Sequence, residues 1–251
     1  MKSVNDVLGS VQECGGSAVL VQRHGSYMTG HVRARCPDGH VLAARNYARL
    51  EPDCMWPLAF EAIQECHAQA AMLAAAGMKV EEVIGSHQGR GPHTGQCLSE
   101  GYARATGGTW LPFRCDAAFD YPVYDYDQAL AALRTVGDPM VAEWLNGKRP
   151  GLIVGETPAS FERRIMSALE GLMAESGSRI VTSHFEIVTL VRALTVAGER
   201  LGSVDEGWFP VKNGGVILWR ESATSQSWHA AEYGPDYTLR GVAVFTLPPA
   251  V

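Results

Sequence analysis

The sequence predicts an α/β fold, a three-layer α/β/α sandwich around a largely parallel central sheet. Three observations carry that prediction. Short apolar runs at 19–21, 83–84 and 180–181 show little alternation, the pattern of strands covered on both faces. These runs alternate with longer stretches of helical character, the order expected of a parallel sheet. Reactive side chains come soon after the runs, at Arg23-His24, Arg90 and His184. Ligands of open α/β sheets bind beyond the carboxyl ends of strands, so these positions read as one site.

The length of 251 residues, 46% of them hydrophobic, allows one sizeable core, and a single domain over 1–251 is expected rather than two. After the opening strand, 31–49 reads as a loop holding Arg33, Arg35, Arg45 and Arg49 against one acid, Asp38. It fits a solvated loop and an attractor of anions equally well. A helix comes next over 57–77, with Pro57 suited to its first turn and Gly77 to its end. A strand at 80–86, a helix from about 92 to 105 and a strand at 109–113 succeed it. Two helices, 127–136 and 139–146, form an expected insertion around 119–150. Thr157-Pro158 opens a further helix, whose apolar stripe is Phe161, Ile165, Ala168, Leu169 and Leu172. The strand at 180–183 leads into a helix over 185–197, and strands at 216–219 and 242–246 close the chain.

Composition excludes several classes. A net charge of −6 with no dominant basic cluster argues against a nucleic-acid partner. The most apolar run, 70–78, is far too short to cross a bilayer, and the polar stretch 1–16 lacks the core of a signal peptide. A cytoplasmic protein with no membrane partner is expected. The six cysteines, at 14, 36, 54, 66, 97 and 115, show no Cys-x-x-Cys spacing and read as free thiols rather than metal ligands.

Taken in order, the strand-end residues resemble the histidine phosphatase superfamily, the phosphoglycerate mutase-like group. Arg23-His24-Gly25 matches its signature triplet, Arg90 with Thr94 its second arginine segment, and Ser183-His184 its second histidine segment. Gly155-Glu156-Thr157 and Asn213-Gly214-Gly215 match two further turns, so the resemblance spans nearly the whole chain. It implies a metal-independent phosphatase, without cofactor, acting on a small phosphorylated metabolite. His24 would attack phosphorus and form a phosphohistidine, dividing one displacement into two. Arg23, Arg90 and a cationic His184 would hold the phosphoryl oxygens, and Thr29 would add a hydroxyl.

An acid must protonate the leaving oxygen and later activate water. In the family it lies a little over two dozen residues after the second arginine. Asp116 stands 26 positions after Arg90 and Asp120 stands 30, so spacing favours Asp116 with Asp120 as the alternative. Two departures limit the match. Ser26-Tyr27-Met28 replaces the residues that come after the triplet in mutases, which weakens the alternative of mutase-type phosphoryl transfer. Phe185 replaces the glycine usual after the second histidine, which leaves open a degenerate phosphate-binding or regulatory module. Leaving-group recognition falls to 28–57 and 119–150, and a homodimer is compatible with the sequence.

Overall fold

The computed structural model describes residues 3–25, 58, 60–88, 90–108, 110–225 and 227–245. Thr29 and the basic stretch 31–49 lie outside the described residues. In chain order the elements are α1 (Val4–Cys14), β1 (Ser17–Arg23), α2 (Phe60–Ala75), β2 (Val80–Gly85), α3 (Arg90–Thr106), β3 (Phe113–Cys115), a 3₁₀ turn (Ala117–Phe119), α4 (Tyr126–Thr135) and α5 (Met140–Leu145). The remaining elements are α6 (Pro158–Ala174), β4 (Gly177–Ser183), α7 (Phe185–Thr195), β5 (Gly215–Arg220), β6 (Trp228–Tyr233) and β7 (Leu239–Phe245).

All seven strands share one sheet in the order β3-β2-β4-β1-β5-β6-β7. The four strands β3, β2, β4 and β1 run parallel, whereas β5, β6 and β7 pair antiparallel. The largely parallel sheet predicted from sequence therefore holds for one half and is corrected in the other. The connections after β5 and β6 are too short for a crossover, and short connections join antiparallel neighbours.

β1 shows why its apolar run does not alternate. Ala18 and Leu20 enter one apolar cluster with Leu8, Cys66, Leu73 and Leu98. Val19 and Val21 enter another with Phe161, Leu169, Val188 and Leu190. Every residue of β1 is buried, as a strand with a core on each face must be. The helices of the expected insertion join the second cluster, where Trp144 of α5 packs edge-on against Phe161 of α6 at 5.5 Å.

Three local readings are corrected. The third strand spans Phe113–Cys115 instead of 109–113, because Phe113, Arg114 and Cys115 are the residues in register with Val83, Ile84 and Gly85 of β2. Helix α3 begins at Arg90, so Pro92 occupies its first turn, where a missing N–H leaves no bond unmade. The polar N-terminus hides α1, capped by Ser3 and Asp6 and buried through Val4, Val7, Leu8 and Val11 at helical spacing. Among the described residues no helix is long and apolar enough to cross a membrane.

Candidate active site

The site sits where β1, β4 and β2 end side by side. Because these neighbours are parallel, their carboxyl ends share one edge of the sheet. Backbone bonds carry the ladder just past the strands: His24 N–H donates to Ser183 O (2.8 Å) and Ser86 N–H to Thr182 O (3.0 Å). His24 and His184 are thereby brought within 5.2 Å, ring centre to ring centre, at an interplanar angle of 61°.

The two rings are anchored differently. His24 is 1% exposed, and its Nδ1 lies 2.7 Å from Gly25 O. A carbonyl only accepts, so Nδ1 carries the proton and Nε2 keeps its lone pair. Burial, followed by the charges of Lys212, Arg90, His184 and Arg23, holds the His24 imidazole well below its ordinary pKa. Both effects favour an uncharged ring with a free lone pair on Nε2. His184 instead meets the Ser86 hydroxyl through Nε2 at 2.9 Å, while that hydroxyl donates to Gln88 O at 3.3 Å. His184 Nε2 is therefore the donor. Tyr121 packs edge-on against the same ring at 4.7 Å.

The cationic His184 expected from sequence is a state beside bound phosphate, and the protein alone disfavours it. Burial, then Arg90, Lys212 and Arg23, push its pKa well below the ordinary value. Arriving phosphate would reverse the sign of that field, because a nearby anion favours the charged imidazolium.

Both arginines are buried, Arg23 at 7% and Arg90 at 1% exposure. Arg23 ends β1, donating its main-chain N–H to Gly214 O (2.8 Å) and its Nη1 to Pro210 O (2.5 Å). Phe209 and Phe185 lie beside its guanidinium, 4.5 and 5.6 Å from ring centre to Cζ. Phe185 is thus a wall for Arg23, itself part of the core. Arg90 opens α3, where backbone N–H groups already favour an anion. Thr94 accepts from Gly25 N–H (3.2 Å) and donates to Arg90 O (2.8 Å), tying the triplet to the second arginine segment.

Gly25 is required by proximity rather than by a left-handed turn. A Cβ there would stand 2.8 Å from Ala62 Cβ and 3.0 Å from Asn213 Oδ1. Asn213 itself is left-handed (φ 54°), held by Gln69, which donates to its carbonyl at 2.7 Å, and by Glu65, which accepts from its Nδ2 at 2.6 Å.

The two candidate acids differ sharply. Asp116 accepts from Arg114 at 2.8 Å and caps Ala118 N–H at 2.9 Å. Burial raises its pKa, but these bonds and the Arg114 charge outweigh it, and the net shift is downward. Asp120 accepts from His87 N–H at 2.6 Å, and burial pushes its pKa up despite the pull of His87 and Arg164. Its neighbours reach the site: Phe119 O accepts from the Ser183 hydroxyl (2.6 Å), and Tyr121 packs on His184.

Sequence reasoning missed Ser86, Lys212 and Glu186. Ser86 comes directly after β2 as His24 does after β1, so the strand-end rule could have found it. Lys212 precedes the asparagine turn and lies partly buried, its pKa lowered to about 6 by burial and by Arg23 and Arg90. Glu186 is fully buried two residues past His184, with its pKa raised to about 7 by burial. A glutamate inside a helix carries no sequence signal of this kind.

No protein-family model and no curated protein matches the sequence. Solved structures do. The chain is similar to a mycobacterial glucosyl-3-phosphoglycerate phosphatase (TM-score 0.56, 13% identity, 92% of this chain and 98% of that one). It is similar to a phosphoglycerate mutase from Bacillus anthracis (0.53, 11%, 84% and 90%). A phosphoserine phosphatase from Entamoeba histolytica, solved with 3-phosphoglyceric acid, also matches (0.53, 14%, 80% and 90%). This chain therefore has the fold that these two phosphatases and this mutase share.

Proposed function

We propose that this chain is a metal-independent phosphomonoesterase that hydrolyses a small phosphorylated metabolite through a phosphohistidine at His24. The observation that carries the reading is the setting of His24: buried, its Nδ1 2.7 Å from Gly25 O, its ring 5.2 Å from that of His184, in a field of Arg23, Arg90 and Lys212 that with burial disfavours the imidazolium. His24 Nε2 attacks phosphorus as the bond to the leaving oxygen breaks. The arginines, with His184 once the anion has charged it, hold the phosphoryl oxygens.

Asp120, rather than Asp116, donates the proton that the leaving oxygen needs. Its raised pKa and its place between residues that touch Ser183 and His184 support the choice. The resulting carboxylate then takes a proton from the water that attacks the phosphohistidine, releasing phosphate and restoring His24. Thr29 remains a proposed hydroxyl donor. The same reading takes the two apolar clusters as the faces of a three-layer sandwich formed by one cytoplasmic domain. Phe185 as a support for Arg23 favours an active site over a degenerate one.

The test is phosphate release from 4-nitrophenyl phosphate, with trapping of an acid-labile phosphoryl group on the protein. Both should vanish in His24→Ala. Full turnover in that variant would overturn the reading, and transfer between substrate hydroxyls without phosphate release would select a mutase.

A further inference from the structure

Glu186 has surroundings that the phosphohistidine chemistry does not use. It stands in the first turn of α7, fully buried. Its Oε1 accepts the Tyr124 hydroxyl at 2.8 Å. Tyr124 connects through Tyr121 (6.4 Å between rings) to the His184 ring (4.7 Å). Its Oε2 is buried and makes no hydrogen bond. Buried polar atoms are almost always partnered, so an orphan on a carboxyl in the field of Arg23, Arg90 and Lys212 points to an anion that those cations attract.

The charges facing this carboxyl are Arg23, Arg90 and Lys212, with Asp138 acting on Lys212 in turn. His24 and His184 are the other titratable groups of the cluster. An ionised Glu186 would compete with phosphate for the field of Arg23 and Arg90. A neutral one behaves differently. Tyr124 already fills Oε1, so the proton belongs on Oε2, which then becomes a donor.

We propose that Glu186 is a further phosphate-site residue, a neutral carboxyl whose Oε2–H donates to an oxygen of the bound phosphoryl group. This rests on the phosphate-site reading above and adds a pH gate to it. Burial raises the Glu186 pKa to about 7 against its own backbone N–H, the Tyr124 hydroxyl, Arg23 and Arg90, which pull it down. A bound dianion raises it further. Anion affinity is then full below the pKa of the free site and falls as pH rises through it.

The test is calorimetric titration with sulfate, a dianion across pH 5 to 9 that adds no titration of its own. Between pH 6 and pH 9 the wild type should lose at least about tenfold more affinity than Glu186→Gln, which keeps a donor and cannot ionise. Lys212, His24 and His184 titrate in both proteins, so the comparison isolates Glu186. Tyr124→Phe removes a bond that favours the carboxylate and should move the loss to higher pH. Parallel loss in wild type and Glu186→Gln overturns the proposal. So does loss of sulfate binding at pH 6 in a Glu186→Gln protein that still melts cooperatively, or absence of sulfate binding in the wild type. Failure of the phosphatase reading would appear separately, as turnover that survives in His24→Ala.

Discussion

The ends of β1 and β4 are near copies with different chemistry. The strands pair in parallel, Arg23 opposite Ser183, and each delivers a buried histidine one residue later. The first ring gives its Nδ1 proton to a carbonyl, which fixes a lone pair on Nε2. The second gives its Nε2 proton to a hydroxyl. Residue type and burial are shared, so the distinction rests on the partner of each ring nitrogen. The residues after the two histidines differ as well. Gly25 is small because Ala62 and Asn213 press against it, whereas Phe185 is large and lies beside Arg23.

The largest expected effect separates nucleophile from clamp. His24→Ala should lower turnover by at least about 10⁴-fold and abolish the trapped phosphoryl group. On the proposed role of His184 as one donor to the transferring group, His184→Ala should lower turnover by about 10² to 10³-fold while the phosphoryl-enzyme still forms. Equal losses, with no phosphoryl-enzyme in either, would erase the distinction. Rapid acid quench with labelled substrate measures it.

The next effects come from the residues that serve those strand ends. Asp120→Asn should cost about 10² to 10³-fold on an alkyl phosphate and far less on 4-nitrophenyl phosphate, whose leaving group needs little protonation. Asp116→Asn should stay within about threefold on both, since its carboxylate is committed to Arg114 and Ala118. The reverse pattern would restore Asp116 as the acid. Ser86→Ala removes one hydrogen bond to His184 and should cost about tenfold, read as kcat over KM.

The same comparison explains how much of the molecule is legible in its sequence. The parallel half of the sheet is readable because buried strands show as apolar runs, and Arg23, His24, Arg90 and His184 stand at their ends in a recognisable order. The antiparallel half is not. β6 reads Trp-His-Ala-Ala-Glu-Tyr, with no β-branched residue to mark it, and its place comes from pairing with β5 and β7. The choice between the two acids is hidden for a similar reason. Spacing along the chain ranks Asp116 above Asp120, but the Arg114 ion pair and the His87 N–H that separate them are contacts made by the folded chain. Lys212 and Glu186 are ordinary charges in sequence, and only burial beside Arg23 and Arg90 makes them functional candidates.

The smallest effect is in stability, and there the two aspartates should move in opposite directions. Asp116 has a lowered pKa, so its carboxylate contributes stability above the unfolded value near 4, lost as pH falls through the folded pKa. Asp120 has a raised pKa, so its ionisation opposes folding, and that penalty is present once pH exceeds the folded pKa. At pH 7, Asp116→Asn should destabilise, because the Arg114 pair is lost while the introduced amide can still cap Ala118. Asp120→Asn should stabilise, since an asparagine oxygen can still accept from His87 N–H without a buried charge. Both carboxylates are partly solvated, so each change should be less than about 1 kcal/mol, and the Asp120→Asn gain should shrink as pH falls towards 4. Urea melts at pH 7 and pH 4 measure this. A stabilised but slow Asp120→Asn protein beside a weakened but active Asp116→Asn protein would mark Asp120 as a group held against its own folding preference for the chemistry. Stability lost in both at pH 7 would reduce Asp120 to a structural acid that holds the loop after β2.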